Sequence, residues 1–104
     1  MKRIMLVCAG GMSTSLLMNK MNAAAKEQGI EVEIWATGQG DAKNHYDRSD
    51  CVLVGPQIRF AAKSMEAEIA GRCPITVIEM ADYGSMNGKK ILAQALKMIE
   101  EFGK

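Results

Sequence analysis

Cys8 is the residue of this chain with the most chemistry in reach, because the chain continues from it through Ala9, Gly10, Gly11, Met12, Ser13, Thr14 and Ser15. Small residues directly after the thiol let the backbone turn tightly and expose several amide N–H groups, the makings of an anion nest. Ser13, Thr14 and Ser15 add cap oxygens and hydroxyl donors at a helix start, where unpaired N–H groups and the helix dipole already favour negative charge. A phosphate suits such a loop. The same field favours the thiolate, which is the nucleophilic form of cysteine. A helix N-terminus supplies up to about 2 kcal/mol in a partly buried geometry, so a separate base is not required.

Two familiar loops are excluded by spacing. A nucleotide P-loop needs Gly-x-x-x-x-Gly-Lys-Ser/Thr, and no lysine lies between Gly10 and Ser15. A tyrosine-phosphatase loop also begins at a strand-end cysteine, but it carries an arginine six residues later to clamp phosphoryl oxygens bidentately. Here that position is Thr14. Without the arginine, charge neutralisation rests on amides and dipole, which suits handing a phosphoryl group onward better than hydrolysing it. Two other readings stay open at this point. One is a small cysteine-dependent phosphatase or oxyanion reductase, with Asp82 as general acid. The other is a non-catalytic, flavodoxin-like module that binds a phosphate-bearing ligand.

The elements that must position this loop follow from hydrophobic periodicity. Residues 3–8 and 51–56 are continuous apolar runs, as expected of central strands buried on both faces. Residues 30–36 alternate Ile30, Val32 and Ile34 with Glu31, Glu33 and Trp35, the pattern of an edge strand with one wet face. Residues 74–79 read as a fourth strand. Helices are expected over 13–28 (Leu17, Met21, Ala24 and Ala25 inward), from Ile58 to a stop at Gly71, and over 88–102. The last has a stripe of Ile91, Leu92, Ala95, Leu96, Ile99 and Phe102. Residues 37–50 read as polar, with at most a short helix near 42–46, and residues 80–88 as a loop. Strands separated by helical crossovers imply an α/β fold: a four-stranded parallel sheet, order 2-1-3-4, helices on both faces. This is an open doubly wound, phosphatase-like or flavodoxin-like architecture. Its switch point lies between strands 1 and 3, where the loops 8–15, 55–59 and 80–88 should meet. Gly55, Pro56, Gln57, Tyr83 and Met86 are therefore expected to support the site or touch a partner.

The stretches "CAGGMSTSLL", "VLVGPQIRF" and "DYGSMNGKKIL" resemble the IIB component of the phosphoenolpyruvate-dependent sugar phosphotransferase system, in its lactose, cellobiose and chitobiose branch. The resemblance covers essentially the whole chain and implies one type-3-like IIB domain over 1–104. It implies a protein-phosphohistidine–sugar phosphotransferase in which Cys8 takes phosphate from a phosphohistidine of a IIA partner. The phosphocysteine then passes the group to a sugar, such as a beta-linked disaccharide, held by a membrane IIC partner. The family's phosphate-cradling loop falls on Ala9, Gly10, Gly11, Met12, Ser13, Thr14 and Ser15. No metal, nucleotide or other cofactor is implied.

Composition narrows the partners. Thirteen Lys and Arg against twelve Asp and Glu leave a formal charge of +1, which gives no electrostatic case for nucleic acid or for a membrane surface of its own. Any membrane association is expected to be peripheral and through IIC. Three cysteines without a Cys-x-x-Cys pair argue against a disulfide framework or a structural zinc site and for a reduced, cytoplasmic compartment. Cys51 and Cys73 read as packing residues. His45, alone in a polar stretch, reads as solvated. Met5, Met18, Met21, Met65, Met80 and Met98 read as core filler, and Met12 and Met86 as loop residues at the site.

Overall fold

In the computed structural model, which describes residues 1–8 and 12–102 with Met12 and Ser13 as backbone only, the sheet has the order β2-β1-β3-β4. The strands are β1 (Lys2–Cys8), β2 (Val32–Gly38), β3 (Cys51–Val54) and β4 (Ile75–Val77). All pairings are parallel, with Leu6 opposite both Ala36 and Leu53, and Val54 opposite Val77. The helices are α1 (Met12–Glu27), α2 (Ala62–Ile69), α3 (Met80–Gly84) and α4 (Gly88–Phe102).

Period-two alternation splits the central strands between two cores. Ile4, Leu6, Cys51 and Leu53 face Leu17, Met21, Ala24 and Ala25 of α1 and Ile91, Leu92 and Ala95 of α4. Met5, Val7, Val52 and Val54 face the other way, onto Ala42, Tyr46, Ile58, Ala61, Met65 and Ile69. Double-sided burial is why β1 and β3 read as unbroken apolar runs. The helices α1 and α4 lie close together at Gly88, where a Cβ would stand 2.6 Å from the backbone carbon of Lys20. Only a hydrogen fits there.

Several expectations need correction. Residues 80–88 are not all loop: α3 is a one-turn helix, closed by Tyr83 N–H donating to the Glu79 carbonyl at 2.9 Å. It is too short to show an apolar period. The segment after β3 opens as a 3-10 helix, Pro56–Ala61, bent at Ile58, before α2 begins. Proline at its first position favours that tight start. At the end of α2, Ala70 already takes the left-handed cap conformation, one residue ahead of Gly71. β4 is confined to three half-buried residues, since Pro74 has no N–H to give and contributes only its carbonyl, accepting from Val52 N.

The face of β2 that carries Trp35 is not simply wet. Trp35 packs against the second core under the Arg48 guanidinium, 4.4 Å from the ring centroid, with the His45 ring tilted beside it. His45 is accordingly held, its Nε2 3.0 Å from Asp41, rather than free in solvent. Hydrogen bonds from Asn44, and then from His45, hold the Asp41 carboxyl below its ordinary range. Met80, expected in the core, is 61 % exposed, because it opens α3 at the sheet's rim. Phe102 is 50 % exposed, burial having fallen off along the last turns of α4.

Candidate functional site

Cys8 closes β1 at the carboxyl edge of the sheet, and its side chain is buried. Six residues on, Thr14 sits in the first turn of α1, is 4 % exposed, and donates its hydroxyl to the Cys8 sulfur at 2.9 Å. Strand and helix thus close on each other through a hydrogen bond. A thiolate accepting from a hydroxyl gains more than a thiol would, since charge-assisted bonds are roughly twice as strong.

The third member is Tyr83, whose hydroxyl lies 3.3 Å from the Thr14 oxygen and whose side chain is also buried. Tyr83 reaches the site because α3 is fixed on both sides. Ile78 N–H donates to the Val54 carbonyl and carries the chain past β4. Asn87 N–H donates to the Asp82 carbonyl, and the Asn87 side chain caps α4 through Lys90 N–H at 3.2 Å. The Asp82 carboxylate meets the Lys90 ammonium at 3.2 Å, tying α3 to α4. Of two adjacent residues, Tyr83 turns to Thr14 and Asp82 to the lysine. The general-acid role for Asp82 has no support in that geometry.

Gly55 comes close to the thiol from β3. Its N–H donates to the Val7 carbonyl at 2.8 Å, and a Cβ on it would stand 3.5 Å from the Cys8 Cβ and 3.2 Å from the Gln57 Oε1. Pro56 is buried behind it and Gln57 exposed. Met86 adopts a positive φ of 54° and packs on the core that contains Tyr83. Ser15 is exposed. Ala9, Gly10 and Gly11, and the side chains of Met12 and Ser13, lie outside the described residues.

The other two thiols are of a different kind. Burial, and then the neighbouring Cys73 and Asp50, push the Cys51 thiol up to about 12, and burial raises that of Cys73. Both are packing residues, neutral at physiological pH. Among the described residues, no cluster of His, Cys, Asp and Glu could hold a metal ion.

Sequence reasoning missed an apolar rim. Leu16 in the second turn of α1, Phe60 in the 3-10 segment after β3, and Met80 at the start of α3 are 48 %, 76 % and 61 % exposed. Each lies in the segment that leaves the carboxyl end of a different strand, the edge at which β1 ends in Cys8. Met80 falls in a loop already assigned to the site, whereas Leu16 and Phe60 lie just past the loops 8–15 and 55–59, in segments expected to be helical, and the signal available was an apolar residue off the buried stripe at a helix start.

The family model for the lactose/cellobiose-specific IIB subunit of the phosphotransferase system matches residues 3–94. The chain belongs to this IIB family. It is 44 % identical over 100 residues to the oligo-beta-mannoside-specific EIIB component of Bacillus subtilis, covering 95 % of this chain and 97 % of that one. It is 46 % identical over 101 residues to the galactose-specific EIIB component of Lactococcus lactis, covering 90 % and 93 %. The solution structure of the cellobiose-specific IIB component from Borrelia burgdorferi superposes with a TM-score of 0.82 at 38 % identity, over 96 % of this chain and 93 % of that one. A shorter match, 34 % over 65 residues, is to the lactose-specific EIICB component of Streptococcus mutans; it covers 62 % of this chain and 11 % of that protein. The IIB fold is thus the four-stranded parallel sheet described above, and IIB components belong to sugar phosphotransferase systems. No described helix of this IIB chain is long and apolar enough to cross a membrane.

Proposed function

We propose that this IIB chain is the phosphoryl carrier of a sugar-uptake system, with Cys8 as the residue that is phosphorylated. The observation that carries the reading is the buried Cys8 at the sheet's carboxyl edge, receiving the Thr14 hydroxyl at 2.9 Å where a phosphatase would hold an arginine.

The chemistry runs in two displacements. The Cys8 thiolate attacks the phosphorus of a phosphohistidine on a IIA partner: the S–P bond forms, the N–P bond breaks, and its electron pair stays on the imidazole nitrogen. A sugar hydroxyl, held by a IIC partner, then attacks the same phosphorus. The O–P bond forms, the S–P bond breaks with its pair returning to sulfur, and the hydroxyl proton leaves to a base of the IIC complex. The backbone of residues 9–15 and the Ser13, Thr14 and Ser15 hydroxyls hold the phosphoryl oxygens throughout. Gly55, Pro56 and Gln57 support the loop from β3.

The missing arginine leaves the transition-state charge to be met by whichever partner is docked, so the group moves only inside a complex. Leu16, Phe60 and Met80, exposed in the segments that leave the strands' carboxyl ends, offer those partners apolar surface. A IIC partner fits the likeness to a protein named as a combined EIICB component. The sugar is a beta-linked disaccharide of the cellobiose, chitobiose or lactose kind. The protein works in the cytoplasm and meets the membrane only through IIC.

The test is reconstitution: this chain, phosphoenolpyruvate, the general phosphotransferase proteins, its IIA, and membranes bearing its IIC. Labelled phosphate should reach the disaccharide with this chain and not with Cys8→Ala. Equal sugar phosphorylation by both would refute the carrier role.

A further inference from the structure

We infer that Tyr83 is a positioning residue for the Cys8 thiolate, acting through Thr14: its hydroxyl donates to the Thr14 oxygen and so commits the one Thr14 proton to sulfur. The inference rests on Cys8 being the reactive thiol, the reading proposed above.

The direction follows from counting protons. A threonine hydroxyl has one hydrogen and two lone pairs. That hydrogen is directed to the Cys8 sulfur at 2.9 Å. The contact with the Tyr83 hydroxyl at 3.3 Å therefore falls on a Thr14 lone pair, which makes Tyr83 the donor. The three side chains are 4–8 % exposed, so water does not compete freely for the chain O–H···O–H···S. In such surroundings each donor polarises the next, and hydrogen bonds in series strengthen one another by about 10–30 %.

The consequence is a hydroxyl with a fixed sense. A threonine hydroxyl can otherwise rotate about its C–O bond and aim its one hydrogen at another acceptor. With Tyr83 occupying a lone pair on one side, the hydrogen stays on the side of the thiol, and of any phosphoryl oxygen attached to it. The Tyr83–Thr14 distance is long for an O–H···O bond, whose usual separation is about 2.7–2.8 Å. The effect of Tyr83 is accordingly smaller than that of Thr14 itself.

The test reads the thiol alone, without any phosphoryl donor, so that its failure is separable from failure of the carrier reading. Iodoacetamide alkylation of Cys8, followed by mass spectrometry, is measured from pH 5 to 10 for wild type, Tyr83→Phe, Thr14→Val and the double variant. Tyr83→Phe should displace the rate profile to higher pH and slow alkylation about two- to threefold at neutral pH, with Thr14→Val doing more. The double variant should match Thr14→Val. A Tyr83→Phe profile superposed on wild type, or an equal Tyr83→Phe effect in the Thr14→Val background, would overturn the inference. A second variant guards against misfolding: the chain has two tyrosines, so in Tyr46→Phe protein fluorotyrosine labels position 83 alone. Its more acidic phenol should move the profile to lower pH than that of unlabelled Tyr46→Phe, and no movement would also overturn the inference.

Discussion

Thr14 donates its hydroxyl to the Cys8 sulfur at 2.9 Å, which joins the end of β1 to the first turn of α1 by a side-chain hydrogen bond inside the protein. A hydrogen bond to a charged group is worth about 1.5–3 kcal/mol, or roughly a ten- to hundredfold change in rate if the bond is lost with the charge developed. Thr14→Val should therefore slow phosphoryl acceptance from phosphorylated IIA by at least about tenfold. Thr14→Ser, which keeps the hydroxyl, should stay within about threefold of wild type. Initial rates with the two variants decide it.

At Gly88 the start of α4 lies directly against the backbone of α1. A methyl group there would collide with the backbone of Lys20 and Met21 at 2.6 and 2.7 Å, and backbone cannot swing away as a side chain can. Gly88→Ala should cost about 1–3 kcal/mol in chemical denaturation, as overpacking does. The neighbouring, exposed Lys89→Ala should cost under about 0.5 kcal/mol.

Alkaline pH should weaken the fold through buried acids that it keeps neutral. Burial, with the hydrogen bond to Glu68, pushes the Tyr46 phenol from 10.0 up to about 12, and burial pushes the Cys51 thiol from 9.0 up to about 12. Between these limits the unfolded chain has lost protons that the folded chain retains, so stability falls as pH rises. It should be at its full value below pH 9.0, the ordinary value of the Cys51 thiol, and decline toward pH 12. Thermal melting across pH 8–12 should show a shallower decline for Tyr46→Phe, confined to pH above about 10.

The exposed rim predicts a defect of docking without one of folding. Phe60→Ser and Met80→Ser remove apolar surface that the fold leaves in water, so melting temperature should be unchanged or slightly higher. The KM for phosphorylated IIA should rise severalfold in each, while alkylation of Cys8 by iodoacetamide stays at the wild-type rate.

How much of this was legible in the sequence varies by element. β1 and β3 stood out because burial on both faces removes polar residues altogether, and β2 because an edge strand alternates; those patterns were enough for the strand order. The Cys8 loop was visible as a motif, with Thr14 marked by its place where an arginine would be. Tyr83 was named among the residues expected to support the site, but its contact with Thr14 was not visible, because α3 is one turn long and a single turn has no period to read. Asp82 and Tyr83 are neighbours, and only the path of the chain from β4 through the Asn87 cap decides which of them reaches Thr14. Met80 and Phe60 were missed for a related reason: sequence reports that a side chain is apolar, whereas exposure depends on what else covers the spot.

The central claim is that phosphate becomes covalently attached to the Cys8 sulfur. It is tested most directly by incubating the intact chain with phosphoenolpyruvate, the general phosphotransferase proteins and IIA, and mapping the modification by mass spectrometry under conditions that preserve thiophosphate. The account predicts one phosphoryl group per chain, on Cys8, and none on Cys8→Ser. Phosphate found on His45 or on a serine, or labelling of Cys8→Ser at the wild-type rate, would contradict it.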